Sequence, residues 1–114
     1  MNFPIDKFKP KNDRFVKSRD GNTKFLYIAC SSCNEPVMVY QKDGKGGLLR
    51  CYVDRIVWPQ SLTEQTGPLV CSNCNKTLAN PMIYEPENRP AYRLIPGTIH
   101  NYRSLEQANK RIRA

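Results

Sequence analysis

Apolar residues come in short runs along this chain, separated by polar stretches rich in proline or glycine. Phe25-Leu26-Tyr27-Ile28 reads as one strand and Val37-Met38-Val39-Tyr40-Gln41 as a second. Both are rich in β-branched or aromatic side chains, which suit a pleated surface, and both are too short for a stable helix. Asp43-Gly44-Lys45-Gly46-Gly47 is the strongest turn signal, because glycine takes positive φ without steric cost. Leu48 to Trp58 then reads as one long strand. Leu49, Cys51, Val53, Arg55 and Val57 fall on one of its faces; Leu48, Arg50, Tyr52, Asp54, Ile56 and Trp58 fall on the other. Residues 37–58 together predict a β-hairpin.

Pro59 to Pro68 is polar and predicts a loop, after which Leu69-Val70 leads into a cysteine pair. Met82-Ile83-Tyr84 and Ala91-Tyr92-Arg93-Leu94-Ile95 are strand candidates joined by a turn over Glu85–Pro90, and Pro96-Gly97 marks another turn. Ser104-Leu105-Glu106-Gln107 fits a capping box with Ser104 at the N-cap. The helix it opens runs to about Arg113, with Leu105, Ala108 and Ile112 on one face. At under three turns that helix needs docking to be stable. The pattern predicts a mainly β, small α+β fold with a short C-terminal helix. It divides into a basic, irregular segment over residues 1–24, a β-rich domain over 25–103 and a basic helix over 104–114. The phenylalanines of the first segment either dock on the domain or stack on bases, and docking is the commoner use.

Composition narrows the class. A chain of 114 residues is one domain, and 39% hydrophobic residues with a mean hydropathy of −0.62 allow only a thin core. Chains of this kind gain from a staple. No apolar run approaches the roughly 18 residues a membrane span needs. The opening MNFPIDKFKPKND lacks the apolar stretch of a secretory signal, so a cytoplasmic, reducing location is expected. There, paired cysteines bind metal or do chemistry more often than they form disulfides, and an odd total of 5 cysteines fits a disulfide framework poorly.

The pairs are Cys30-Ser31-Ser32-Cys33-Asn34 and Cys71-Ser72-Asn73-Cys74-Asn75. A Cys-x-x-Cys step lets two sulfurs converge on one ion while the backbone between them turns its N–H groups toward the thiolates. Two such steps supply the four ligands of a tetrahedral Zn²⁺. Asn follows the second cysteine in both copies, and Asn is one of few residues that readily adopt left-handed backbone. Cys30, Cys33, Cys71 and Cys74 are therefore the predicted ligands of one structural Zn²⁺. Rubredoxin-like iron would use the same four thiolates. A thioredoxin-like pair would open a helix, whereas Glu35-Pro36 and a strand-like run follow the first pair here.

On these residues the chain resembles the zinc-ribbon class, in which two knuckles at the tips of β-hairpins clamp one zinc. The resemblance extends over roughly residues 25–84, and the chain is similar to short prokaryotic zinc-ribbon proteins, which implies a metal site and no particular activity. It departs from the usual spacing: 37 residues separate Cys33 from Cys71, against about 15–20 in the common pattern.

Charge directs attention away from the metal. The formal net charge is +8, carried as seven Lys/Arg against three Asp over residues 1–24 and six against one over 89–114, while residues 25–88 hold five against six. Basic ends on a mildly acidic middle are the footprint of terminal segments that meet an anionic partner, or of a chain that uses charge for solubility. Lys9, Lys11, Arg14, Lys17, Lys110, Arg111 and Arg113 are the candidate nucleic-acid contacts, with Arg50 from the middle of the chain. Arg50, Tyr52 and Trp58 share a strand face and could form a stacking platform, although packing of the two aromatics in a thin core is the stronger reading.

Cys51 lies between Leu49 and Val53 and is expected to be a buried core thiol, with His100 on the surface. A nucleophile pair of Cys51 and His100 has no supporting signature. No phosphate-cradling loop, carboxylate pair, serine triad or small-molecule substrate can be identified, and a closed Cys₄ site leaves no coordination position for substrate. The sequence thus points to a monomeric, non-enzymatic binding module, with nucleic acid, RNA foremost, as partner. An adaptor for an acidic protein is the alternative, and a small enzyme using Cys51 and His100 is a weaker third.

Overall fold

In the computed structural model, which describes residues 3–4, 23–43 and 47–113, the short apolar runs become eight strands in two antiparallel sheets. The first sheet has the order β4-β2-β1-β8, from β1 (Thr23–Cys30), β2 (Pro36–Asp43), β4 (Ile56–Trp58) and β8 (Ile99–Tyr102). The second has the order β3-β7-β6-β5, from β3 (Arg50–Tyr52), β5 (Leu69–Val70), β6 (Thr77–Tyr84) and β7 (Arg89–Leu94). The mainly β class with a short C-terminal helix is therefore what the chain adopts.

The two sheets pack face to face. Leu26, Ile28, Met38, Tyr40 and Ile56 from the first meet Cys51, Leu69, Leu78, Tyr92 and Leu94 from the second in the main core. The other face of the first sheet is also covered. Ala29, Val39 and Tyr102 there pack with Phe3 and with Ala108 of the C-terminal helix, and Phe25, Tyr27, Trp58 and Leu105 lie against them. Burial on both faces explains why β1 and β2 read as continuous apolar runs without polar alternation.

That helix, α2 (Leu105–Arg113), begins as the capping box predicts: the Gln107 N–H donates to Ser104 Oγ at 3.1 Å. Phe3 docks beside it, its N–H donating to Asn109 Oδ1 at 3.2 Å and its ring edge-on to Tyr27 and Trp58 at 5.6 and 6.1 Å. Of the basic N-terminal segment, the expectations for Lys9, Lys11, Arg14 and Lys17 lie outside the described residues, as does the tip of the glycine turn.

The predicted hairpin over residues 37–58 forms only where Val39 and Tyr40 pair antiparallel with Trp58 and Ile56; its inner part departs. The stretch read as one strand is two, belonging to different sheets: β3 pairs with β7, a 3₁₀ turn over Val53–Arg55 redirects the chain, and β4 returns to pair with β2. Charge pairing accounts for the break. Arg55, 1% exposed, donates from Nε to Asp43 Oδ2 at 2.7 Å, and Gln41 Nε2 donates to the other carboxylate oxygen at 3.1 Å. Its neighbour Asp54 turns the opposite way and accepts from Arg89 Nη2 at 2.7 Å. The Tyr52 N–H donates to the Tyr40 hydroxyl at 2.8 Å, tying β3 back to the first sheet.

Two smaller differences follow from packing. The loop predicted from Pro59 to Pro68 contains a helical turn, α1 (Ser61–Glu64), held by Leu62 in the core and by the Tyr92 hydroxyl donating to the Leu62 carbonyl at 2.9 Å. The strand expected at Met82–Tyr84 starts earlier, at Thr77, and passes through Pro81. Pro81 lies beyond the stretch paired with β5, where its missing N–H costs no ladder bond.

Breaking a buried ion pair by removing one partner typically costs about 3–5 kcal/mol, against about 1 kcal/mol for an exposed helix cap. Asp43→Ala is expected to lower the urea midpoint far more than Ser104→Ala, and equal midpoints would show that the Asp43–Arg55 pair does not hold the fold.

Candidate metal centre

Each cysteine pair sits in the turn of an antiparallel hairpin, the first between β1 and β2, the second between β5 and β6. The two turns are built by the same bonds. In the first, the Cys30 N–H donates to the Glu35 carbonyl at 3.0 Å and the Asn34 N–H to the Cys30 carbonyl at 2.8 Å. In the second, Cys71 donates to Lys76 at 2.8 Å and Asn75 to Cys71 at 2.9 Å. Asn34 and Asn75 have φ of 62° and 63°, the left-handed backbone that their residue type predicts.

The hairpins bring all four sulfurs within 4.8 Å of one another. A tetrahedral ion with sulfur at about 2.3 Å would space its ligands by roughly 3.8 Å. Across the two knuckles, Cys30 Sγ lies 3.7 Å from Cys74 Sγ and Cys33 Sγ 3.5 Å from Cys71 Sγ. That spacing fits a shared ion and is far too long for a disulfide. Cys30 and Cys71 are buried, while Cys74 faces solvent, so the cluster lies at the rim of the sandwich. The four residues can hold a metal ion.

The surroundings act on the thiols in opposite directions. The Asn73 side chain, reaching from the second knuckle to the first, does most to lower the Cys33 thiol to about 7; burial opposes it, and the Glu35 N–H and the neighbouring thiols add to it. Burial pushes Cys71 up to about 12, against the opposing N–H groups of Cys74 and Asn73. Amide donors of this kind orient and tune thiolate ligands. Asn73 and Lys76, whose Nζ donates to Ser32 Oγ at 2.9 Å across the knuckles, were not among the predicted site residues. The signal for Asn73 was present: it is where the second knuckle differs from Ser32 of the first.

A third segment locks the knuckles together. The Ser31 N–H donates to the Thr98 carbonyl at 2.9 Å, and Ser31 Oγ to the Gly97 carbonyl at 2.8 Å. The buried Thr98 hydroxyl in turn reaches the carbonyls of Leu78 and Ile95 at 3.1 and 2.7 Å. The turn at residues 95–98, with Gly97 at φ 79°, thus connects the first knuckle to the strand leaving the second.

The other candidate residues are not brought to this centre. Cys51 is fully buried in the main core, where desolvation raises its thiol far above the ordinary range. His100 is exposed on β8 of the other sheet. The platform of Arg50, Tyr52 and Trp58 is not formed, because Trp58 belongs to the first sheet and packs against Phe3, whereas Arg50 and Tyr52 belong to the second. Arg50 stacks instead on Tyr84, a residue the strand-face reading missed. Lys110 is exposed on α2, and Arg111 and Arg113 follow it in the same helix.

No family model, curated protein or solved structure matches this chain. No helix among the described residues is long and apolar enough to cross a membrane.

Two outcomes test the centre. Thr98→Val, which removes the hydroxyl contacts to Leu78 and Ile95, should weaken metal binding about tenfold in a chelator competition, as loss of an outer support typically does. Binding must also displace thiol protons. Affinity should therefore fall as pH drops, and more steeply below about 7, where Cys33 too carries a proton. A pH-independent affinity between about 6 and 8 would contradict thiolate ligation.

Proposed function

We propose that this chain is a zinc-stapled, non-enzymatic binding module of the cytoplasm that engages nucleic acid, RNA in preference, through its basic ends. The convergence of four cysteine sulfurs from two matching knuckles carries the metal half of this reading. Cys30, Cys33, Cys71 and Cys74 would hold one Zn²⁺ in a closed set, where the ion supplies folding energy and has no position for substrate. The reading as a binding module also draws support from Cys51 and His100, which stand in different sheets, one buried and one exposed.

The partner half rests on charge. Lys9, Lys11, Arg14 and Lys17 precede the sandwich, and Lys110, Arg111 and Arg113 end it. What favours a shared role is the bond from Phe3 to Asn109, which anchors the start of the N-terminal segment next to the helix that carries Lys110.

Structural zinc contributes on the order of 10–16 kcal/mol, as much as the whole stability of a small domain. Chelation, or Cys71→Ser, should therefore abolish the near-UV circular dichroism of the folded chain, and metal analysis should return zinc at one equivalent. An iron-loaded protein, or one that stays folded without metal, would sink the zinc assignment. For the partner, seven basic residues neutralising about seven phosphates of a single strand predict a roughly 10³-fold loss of affinity between about 50 and 200 mM salt. Fluorescence anisotropy on a labelled single-stranded RNA reads this directly. No binding at the lower salt would reject nucleic acid and leave an acidic protein as the partner.

A further inference from the structure

The outer face of the second sheet, on the opposite side of the sandwich from helix α2, carries cationic and aromatic groups together. Asn80, Met82 and Tyr84 of β6, Arg89, Ala91 and Arg93 of β7, and Arg50 and Tyr52 of β3 alternate onto this one face, in register. Arg50 lies directly opposite Arg93, and Arg89 lies opposite Tyr84.

The three arginines are treated differently. Arg89 is buried, ion-paired to Asp54 and Glu87 at 2.7 and 2.8 Å, and stacked on Tyr52 at 3.7 Å, so it serves the fold. Arg50 and Arg93 have no carboxylate partner among the described residues. Arg93's neighbour on its other side is the neutral Asn80. Like charges directly opposite on adjacent strands are destabilising, and a bound anion would remove that cost.

Arg50 is also preorganised. Its guanidinium lies 4.2 Å from the Tyr84 ring centre, and Nη1 donates to the Tyr52 hydroxyl at 3.4 Å. Stacking holds the guanidinium plane while its remaining N–H edge keeps the fork geometry that matches a phosphate. Arg50 and Arg93 both line a pocket of about 190 Å³ whose other walls are Leu49, Met82, Leu94 and Pro96. Leu49 is 70% exposed at its mouth. The pocket is smaller than the roughly 300 Å³ at which sites that enclose drug-sized ligands begin, so a ligand of nucleotide size would be held in part, with its remainder in solvent. Two cationic walls against an apolar remainder call for a ligand that is anionic at one end and flat and apolar at the other.

We propose that the Arg50–Arg93 pocket binds one nucleotide, its phosphate between the two guanidiniums and its base against Leu49, Met82 and Pro96. The site stands on the second sheet alone and does not depend on the terminal basic segments. Its ligand is either a free mononucleotide or one unit of a single strand, and the two sources share this chemistry.

The test uses the full metal-loaded chain and four probes: uridine monophosphate, uridine, inorganic phosphate and an eight-residue oligouridylate. Titration with the monophosphate should shift the backbone amide signals of β3 and β7, while uridine and inorganic phosphate each bind at least roughly tenfold more weakly. Arg50→Gln and Arg93→Gln should each weaken the monophosphate about tenfold or more while the near-UV circular dichroism of the fold is kept, since each removes a charge-assisted pair. Arg50→Lys should recover only part, lacking the fork, and Lys110→Gln should change nothing. Inorganic phosphate binding as well as the monophosphate would overturn the base subsite. Monophosphate binding that is absent, or equal in both arginine variants, would overturn the pocket. Oligouridylate affinity that falls with the same variants identifies a strand as the source, and affinity that does not, beside a sensitive monophosphate, identifies a free nucleotide. If the oligouridylate binds with steep salt dependence while the pocket fails, the reading of the basic ends survives without it.

Discussion

Four thiolates within a few ångströms of one another repel strongly unless a cation shares their charge, and this constraint organises the whole chain. One pair of sulfurs belongs to a hairpin of the first sheet and the other pair to a hairpin of the second. Whatever holds the sulfurs together therefore holds the sandwich together at that rim. The Thr98 turn reinforces the same junction by hydrogen bonds that need no metal. A thin core is adequate because its two layers are fastened where they would otherwise splay.

The opposite ends of the strands are fastened by arginine. Asp43 ends the eight-residue strand that starts beside the first knuckle, and it holds the buried Arg55. Arg89 pairs with Tyr84 at the far end of the eight-residue strand that starts beside the second, and it holds Asp54. Asp54 and Arg55 are consecutive, so the single 3₁₀ turn between β3 and β4 ties both sheets at once. The planar fork of arginine suits such buried pairing, where a lysine would meet a carboxylate as a point charge. Arginine is thus used in two ways among the described residues: buried with carboxylate partners at Arg55 and Arg89, and without them at Arg50 and Arg93, which line the pocket.

Covering the first sheet on both sides has a further consequence. Helix α2 is short and would not persist alone, yet its Ala108 is fully buried against that sheet together with Phe3. Phe3 and helix α2 meet there, on the side of the first sheet away from the second. Among the described residues, Lys110 accordingly stands on the helix side of the first sheet, and Arg50 and Arg93 on the outer face of the second.

The ligand set, the paired left-handed asparagines, the helix cap and the β6–β7 hairpin were all legible in the sequence. Each knuckle, asparagine, cap and turn depends on residues within a few positions of one another, and local backbone chemistry settles its form, whereas the meeting of the two knuckles across the 37 residues between Cys33 and Cys71 is a property of the fold. The alternation over Leu48–Trp58 was equally regular, yet it could not reveal that β3 and β4 lie in different sheets. That depended on Asp43, 12 residues from Arg55, and on Arg89, 35 residues from Asp54. The same holds for Arg50: its position on a strand face was readable, but its neighbours Tyr84 and Arg93 arrive from β6 and β7. Residue pattern determines which way a side chain points from its own strand. Only the tertiary structure decides what it meets there, because buried charge pairs and sheet registers are chosen by whichever distant segment can satisfy them.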